Sequence, residues 1–303
     1  MGLRLAHFAG WTAALAIATI AAAFAEARAF RVTRHRVVLS AASDDAGCLR
    51  VLHVGDTHYR RGEHAKAKFL ASLAALQPDL VVMTGDMVAN DAGIDECLAA
   101  MAGLLRLPGV FVFGSNDFHA SRPVNPLAYL VSGVRDPAGQ ATPRQPVDWQ
   151  RLRDALTAAG WCDLNNRWTR LEAGGTTIEL RGAGDAHICQ DAYAGVAASR
   201  PRDDQTPAIV IGVTHAPYRR VLDAMVADEV PLVLAGHTHG GQICLPVYGA
   251  ILTNCDLSTS MAKGLHRWSD AGWLHVTAGV GASPHFPLRT FCRPEACLLE
   301  VIP

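Results

Sequence analysis

Acidic and imidazole side chains recur in this sequence directly after short apolar runs. Residues 55–58 read Gly-Asp-Thr-His, residues 84–86 read Thr-Gly-Asp, and residues 114–117 read Gly-Ser-Asn-Asp. Further along the chain, Thr-His at 214–215 and Gly-His-Thr-His-Gly at 236–240 follow two more apolar runs. Carboxylate, imidazole and amide groups together are ligands that manganese, iron and zinc accept in proteins.

These motifs provide seven candidate metal ligands: Asp56, His58, Asp86, Asn116, His215, His237 and His239. Seven donors exceed the need of one zinc ion, but they suit two adjacent ions that share a carboxylate. Each residue alone has a simpler explanation, because an Asp or His after a strand often only stabilises a turn. His237 and His239 flank a single residue, so on an extended segment their rings point to the same side. The ordered set therefore favours a site for two divalent ions.

The apolar runs predict strands that would bring the motifs together. Residues 49–54, 79–83 and 109–113 predict strands, and residues 64–76 and 94–106 between them have the apolar spacing of helices. This alternation predicts an α/β sheet that is covered on both faces. Ligands of open α/β sheets bind at the carboxyl ends of the strands, which is where the motifs lie.

The ordered motifs resemble those of the calcineurin-like metallophosphoesterase superfamily, specifically its membrane-associated bacterial branch. The resemblance covers about residues 48–303 and includes Gly236 to Gln242 followed by Pro246 and Gly249. It implies a four-layer α/β/β/α sandwich of two mixed sheets. It also implies a hydroxide between two metal ions as the nucleophile, with no covalent enzyme intermediate.

The resemblance assigns the seven candidate ligands to two metal ions, with Asp86 as the bridge. One ion would be held by Asp56, His58, Asp86 and His239. The other would be held by Asp86, Asn116, His215 and His237. The metals implied are divalent manganese, iron or zinc, since these donors accept each of them.

The third motif departs from the family pattern, which is Gly-Asn-His followed by Asp or Glu. Counting from Pro108 places Asn116 at the ligand position, whereas counting from Gly114 places Ser115 there. An amide oxygen is a better ligand than a neutral hydroxyl, which favours Asn116. Asp117 then takes the position of the family's histidine, and it would need a raised pKa to protonate a leaving group. His119 is a second candidate for that role, or a surface residue.

Other polar residues and one long loop have weaker functional interpretations. Asp185 and His187 could orient a metal-bound histidine or form a turn. Arg219 and Arg220 could bind phosphate or lie on a solvated helix face. Residues 121–148 are rich in proline and predict either a lid over the site or an insertion without a role. His53, within a strand, is predicted to be a core residue.

The first thirty residues differ from residues 31–303, which we predict to be the metallophosphoesterase domain. No charge occurs from Phe8 to Ala25, and small residues follow. This pattern favours an uncleaved membrane anchor over a cleaved signal peptide, and both over a buried helix. Arg28 and three further arginines after the apolar run outnumber Arg4 before it, which favours a cytoplasmic catalytic domain.

Composition narrows the classes of partner. The 303 residues carry a formal charge of −1 without long basic runs, so no nucleic-acid partner is expected. The eight cysteines form no Cys-x-x-Cys pair, and only Cys292 and Cys297 are close in sequence.

We predict a hydrolase of phosphomonoesters or phosphodiesters, with a small or lipid-linked substrate. A pyrophosphatase of a nucleotide-sugar lipid and a non-catalytic metal-binding scaffold are the alternatives.

Overall fold

The computed structural model describes residues 17–39, 47–121, 144–199, 209–270, 272–283 and 285–303. Within these ranges the chain forms two six-stranded mixed sheets and a short two-stranded hairpin. The hairpin pairs β10 (Cys244–Leu245) with β11 (Gly249–Ala250). Residues 122–143, which make up most of the proline-rich segment, lie outside the described ranges.

The first sheet has the strand order β1-β14-β2-β3-β4-β5. Its strands are β1 (Arg31–Val38), β2 (Leu49–Val54), β3 (Leu80–Met83), β4 (Gly109–Phe111), β5 (Cys162–Asp163) and β14 (Glu295–Ile302). β2, β3, β4 and β5 are parallel neighbours, as the alternation of strands and helices predicts. β14 is antiparallel to β2 and parallel to β1, so the C-terminal strand lies inside this sheet.

The second sheet has the strand order β12-β13-β9-β8-β7-β6. Its strands are β6 (Trp168–Ala173), β7 (Thr176–Gly182), β8 (Ile209–Thr214), β9 (Leu232–Ala235), β12 (Gly264–Arg267) and β13 (Trp273–Val276). β6 and β7 form an antiparallel hairpin, and the two glycines that join them, Gly174 and Gly175, both have positive φ. The four strands from β13 to β7 are parallel neighbours.

The helices are α1 (residues 17–26), α2 (His64–Ser72), α3 (Ile94–Ala100), α4 (Ser115–Phe118), α5 (Trp149–Ala158), α6 (Tyr193–Ser199) and α7 (Arg219–Ala227). The first two predicted helices are shorter than expected. α2 passes into a 3₁₀ turn at Leu73–Leu76, and a second 3₁₀ turn at Leu104–Arg106 follows α3. α4 is a single helical turn that contains Ser115, Asn116 and Asp117 of the third motif.

Three apolar clusters show that the molecule has four layers. One cluster lies between the sheets and contains Val51 and Val82 from the first sheet with Ile211 and Leu234 from the second. A second cluster packs α2, α3 and α5 on the outer face of the first sheet. A third packs α6 and α7 on the outer face of the second sheet. The predicted α/β/β/α sandwich is therefore the observed architecture.

The N-terminal helix α1 packs against the C-terminal part of the chain. Ala23 is buried, and its carbonyl oxygen accepts the N–H of Arg289 at 3.1 Å. Among the helices that the structure describes, none has both the length and the apolar content needed to cross a membrane. The predicted membrane anchor is thus not seen as a span, and residues 1–16 lie outside the described ranges. All eight cysteines are free thiols.

Candidate metal centre

The motifs of both sheets meet at one end of the sandwich, beyond the carboxyl ends of β2, β3, β8 and β9. Backbone hydrogen bonds join the first two motifs, from Asp56 N to Gly85 O and from His58 N to Asp86 O, each at 2.9 Å. The backbone N–H of His237 donates to the Asp56 carboxylate at 2.9 Å, which ties β9 of the second sheet to the first motif. The two sheets therefore hold the candidate ligands against one another.

Five of the candidate ligands form two overlapping groups. One contains Asp56, His58 and His239, and the other contains Asp56, Asp86 and His215, with the possible ligand atoms of each group within 4.8 Å of one another. Asp86 Oδ2 lies 3.4 Å from His58 Nε2 and 3.6 Å from His215 Nε2. Both carboxylates thus lie between the groups, whereas the resemblance implied Asp86 alone as the bridge. These groups and the family pattern suggest a dinuclear site for divalent metals.

Hydrogen bonds to carbonyl oxygens fix which nitrogen of two histidines is free. The Nδ1 of His215 lies 2.7 Å from Thr84 O, so in the neutral ring, the form that binds a metal, Nδ1 carries the proton and Nε2 keeps a lone pair. That Nε2 is buried and has no hydrogen-bond partner. The Nε2 of His237 lies 3.1 Å from Asn254 O, which leaves its Nδ1 unprotonated. An unpaired buried imidazole nitrogen beside a carboxylate fits a metal ligand.

The His58 and His239 rings face each other beside the Asp56 carboxylate. Their Nε2 atoms are 3.0 Å apart, and His239 Nε2 lies 3.7 Å from Asp56 Oδ1. Two neutral imidazoles can share one proton between these atoms, but a cation bound by both would also use the carboxylate. The donor set of this group therefore fits a divalent ion.

The backbone at the site is strained. Asp56, His58, Asp86, His237 and His239 all have φ between 39° and 72°, a left-handed region that non-glycine residues seldom adopt. Such residues cost about 1–3 kcal/mol each and cluster at functional sites. Glycines permit the close packing: a Cβ on Gly236 would lie 2.5 Å from Asp56 Oδ2, and one on Gly114 would lie 2.6 Å from His215 Nε2.

The charged groups at the centre shift one another's pKa values. Burial and the neighbouring Asp86 raise the pKa of Asp56 to about 7. Burial alone would also raise the pKa of Asp86, but His215, His58 and the Asn116 hydrogen bonds hold it below its usual value. Burial lowers the pKa of His215, and the surrounding carboxylates outweigh this and raise it to about 9. A bound cation would relieve the repulsion between the carboxylates.

The structure brings Asn116 to the centre and places His237 at its edge. Asn116 N lies 2.8 Å from Asp86 Oδ1, and its side-chain amide lies 2.6 Å from Asp86 Oδ2. An amide can turn its oxygen or its nitrogen towards the same point, so this position suits a ligand. His237 packs its ring on His215 at 5.2 Å between centroids. The ligand roles of both residues stay predictions.

Asp117 and His119, the two candidate proton donors, have different surroundings. Asp117 is buried, and its carboxylate accepts the N–H groups of Met87 at 2.7 Å and Gly114 at 3.0 Å. Burial and Asp86 raise its pKa to about 7. His119 is exposed, and its backbone bridges to Pro146. Asp117 therefore holds two loops together, and a role for either residue in leaving-group protonation stays a prediction.

Asp185 and His187 lie beside the second ligand group. Asp185 accepts the N–H of His187 at 2.8 Å, which is the turn that the sequence allowed, and burial raises its pKa to about 6. The His187 ring lies 4.6 Å from the His237 ring and bonds to Tyr218 Oη at 3.1 Å. His187 thus packs against the ring of His237, and a role in orienting that ring stays a prediction.

The two arginines of α7 are engaged away from the centre. Arg219 lies over the ring of Trp268, with its guanidinium carbon 5.5 Å from the ring centroid. Arg220 pairs with Asp191 at 2.7 Å. These contacts agree with the solvated helix face that was one of the two sequence interpretations.

Arg289 is a buried residue whose importance the sequence did not reveal. Its guanidinium donates to the carbonyl oxygens of His239 at 3.2 Å and Ala278 at 2.7 Å. It therefore holds the loop that carries a candidate ligand against the turn after β13. The only sequence signal for Arg289 was that Pro287-Leu288-Arg289 lies within the residues that resemble the family.

Comparisons with known proteins agree with this geometry. Residues 49–241 match the model of the calcineurin-like phosphoesterase family. The chain is 27% identical over 283 residues to phosphodiesterase YaeI of Escherichia coli, which covers 90% of the chain and 88% of that protein. It is 26% identical over 280 residues to the metallophosphoesterase YkuE of Bacillus subtilis, with 90% and 86% covered.

The name of a third relative is that of a transmembrane protein. The chain is 27% identical over 266 residues to a transmembrane protein with metallophosphoesterase domain from Bos taurus. The match covers 86% of the chain and 53% of that relative, so the chain spans about half of it. Together with the ligand groups described above, the family match leads to one conclusion: the chain belongs to the calcineurin-like phosphoesterase family and is a metal-dependent phosphoester hydrolase.

Proposed function

We propose that the chain hydrolyses phosphodiesters or phosphomonoesters with two divalent ions of manganese, iron or zinc. The observation that supports this proposal is the pair of ligand groups that overlap at Asp56, with Asp86 between their histidines. Two divalent ions held there would lower the pKa of a bound water and neutralise the charge of phosphate oxygens.

The residues of the chain supply position and charge for this reaction. Asp56 and Asp86 bring two carboxylates into a buried site, where divalent cations are held more strongly than at the surface. Thr84 O and Asn254 O fix the tautomers of His215 and His237. The free nitrogens of the two neutral rings therefore need no reorganisation when a metal ion binds. Arg289 holds the His239 loop from behind.

A phosphodiester is the substrate we test first, because the relative from Escherichia coli is named a phosphodiesterase. The third motif indicates which leaving groups the enzyme should favour. The Asp117 carboxylate is occupied by backbone amides and His119 is exposed, so we expect little assistance to a basic leaving group. Esters of acidic alcohols and phenols should therefore react fastest.

A substrate panel on the full-length protein in detergent tests the proposal. Bis(para-nitrophenyl) phosphate, para-nitrophenyl phosphate and a nucleotide-sugar lipid would be offered with manganese, iron, zinc and nickel in turn. Hydrolysis of either of the first two supports the proposal. Cleavage of the pyrophosphate alone would assign the alternative activity, and inactivity of a metal-loaded protein towards all three would assign a scaffold.

A further inference from the structure

The large apolar side chains that the described structure exposes are concentrated in three elements of the chain. Seven of these eight residues belong to α1, to the β10–β11 hairpin or to the segment 289–292, and the eighth is Val38 at the end of β1. We call these seven the apolar face: Ile17, Ile20, Phe24, Leu245, Val247, Tyr248 and Phe291.

Hydrogen bonds make the apolar face continuous. The segment 289–292 is bound on one side by α1, because the Glu26 carboxylate accepts the N–H groups of Phe291 at 3.0 Å and Cys292 at 2.6 Å. On its other side it is bound by β10, because Cys244 N donates to Thr290 O at 2.9 Å and Thr290 Oγ1 donates to Cys244 O at 2.9 Å. Helix, segment and hairpin therefore adjoin one another, and we treat their exposed apolar side chains as one face.

Two residues of the apolar face are held in an unfavourable backbone conformation. Val247 has a φ of 67° and Phe291 a φ of 51°, and a β-branched or bulky residue in this region is an outlier. Val247 is fully exposed and Phe291 is 64% exposed. Glycine or asparagine would avoid both the strain and the contact between apolar groups and water. Neither side chain is explained by packing within the chain.

Three basic side chains flank the part of the apolar face formed by α1 and the segment 289–292. Lys263 Nζ lies 3.5 Å from Phe291 O, Arg28 donates to Phe24 O at 3.1 Å, and Arg293 donates to Ala29 O at 2.8 Å. An apolar centre with a basic rim matches an anionic bilayer, where apolar groups enter the acyl boundary and cations meet phosphate headgroups. A second copy of the chain would bring two basic rims together, which disfavours that occupant.

We propose that the apolar face rests on a bilayer of anionic phospholipid, with Val247 and Tyr248 at the hairpin tip inserted. Residues 17–25, the described part of the uncharged run from Phe8 to Ala25, lie in α1 and contribute three side chains to this face. β10 begins five residues after His239, and Arg289 binds the His239 loop from the segment 289–292. Docking would hold the metal centre near the lipid surface. The inference concerns attachment and does not depend on hydrolysis.

Tryptophan quenching in vesicles tests the proposal. The full chain, its Val247→Trp variant and its Val38→Trp variant would be reconstituted with phosphatidylcholine and phosphatidylglycerol, with and without bromine on the acyl chains. The two valines are matched because Val38 is exposed but lies outside the apolar face. Bromine should cause a larger loss of fluorescence in Val247→Trp than in wild type, and no extra loss in Val38→Trp. Equal losses in the two variants would overturn the proposal.

Two further measurements define the occupant. Vesicles of phosphatidylcholine alone should reduce the extra quenching at position 247, because the basic rim then lacks anionic partners, and unchanged quenching would contradict the role of the rim. Sedimentation in detergent should give the mass of one chain for wild type and for Val247→Asp. A wild-type dimer that Val247→Asp dissociates would assign the face to a second copy and overturn the proposal.

Discussion

The metal centre and the His53–His275 pair are two groups of buried histidines connected by one residue, Thr84. In the pair, the Nδ1 atoms lie 2.9 Å apart, and His53 Nε2 lies 3.1 Å from Thr84 Oγ1. Burial alone lowers the pKa of His53 to about 3. In the metal centre, Asp56 and Asp86 lie beside histidines whose ring nitrogens face them. The contrast shows that burial makes a histidine neutral, whereas carboxylates beside it make a cation site.

Removing Asp86, one of the two carboxylates between the ligand groups, should have the largest effect. Asp86→Asn should lower metal affinity by more than about 100-fold, since changes even beyond the direct ligands cost 10–100-fold. Hydrolysis should be lost with the metal. Metal content after dialysis and hydrolysis of a phosphodiester measure both effects. His53→Gln is the matched control, and the contrast between the groups fails if it loses as much metal.

Metal binding should stabilise the fold through the same carboxylates. With free metal at a hundred times its dissociation constant, the free energy of unfolding should rise by about 2.7 kcal/mol. Urea unfolding with metal and with a chelator measures this difference. The His53→Gln variant should show the full metal response, and Asp86→Asn should show little. An equal response in Asp86→Asn would place the stabilising ion elsewhere.

The histidine pair should make the fold sensitive to acid. The pKa of His53 is about 3 in the folded protein against its ordinary value of 6.5, so between these values the unfolded chain binds more protons and stability falls as pH falls. From pH 7.5 to 5 this residue should cost about 2 kcal/mol of unfolding free energy. Denaturant unfolding of the metal-free protein at both pH values measures the loss. His53→Gln should reduce it, and an undiminished loss would exclude His53 as the cause.

A substitution at Thr84 tests whether the metal centre and the His53–His275 pair act independently, and its expected effect is the smallest. Its hydroxyl contacts His53, while its carbonyl oxygen accepts the proton of His215. Thr84→Val should therefore lower the unfolding free energy by about 1 kcal/mol and leave metal affinity unchanged. Urea unfolding and metal titration separate the two outcomes. Weaker metal binding in this variant would show that the two groups act as one network.

The sequence predicts most of the site because its ligands lie next to strong apolar strands. Asp56 and Asp86 follow β2 and β3, and parallel strands carry their carboxyl ends to the same edge. The contribution of His275 was not visible, because its contact with His53 crosses from one sheet to the other. Sequence spacing within either strand contains no information on that distance.

The parts of the fold that escaped prediction depend on long-range pairing. β14 lies between β1 and β2, and its register with β2 pairs Cys297 with His53. An apolar strand at the end of a chain can pair with any sheet edge, so local periodicity does not decide its place. The single turn α4 was missed as well, because Ser115–Phe118 is too short to show helical spacing.

The most direct test of a two-metal hydrolase is a metal count made together with an assay on the same sample. The full-length protein, loaded with manganese, iron or zinc and freed of excess metal, would be analysed for metal per chain and for hydrolysis of bis(para-nitrophenyl) phosphate. We expect about two ions per chain and hydrolysis that a chelator abolishes and added metal restores. A protein that binds no metal, or that hydrolyses the ester equally well after complete metal removal, would contradict the account.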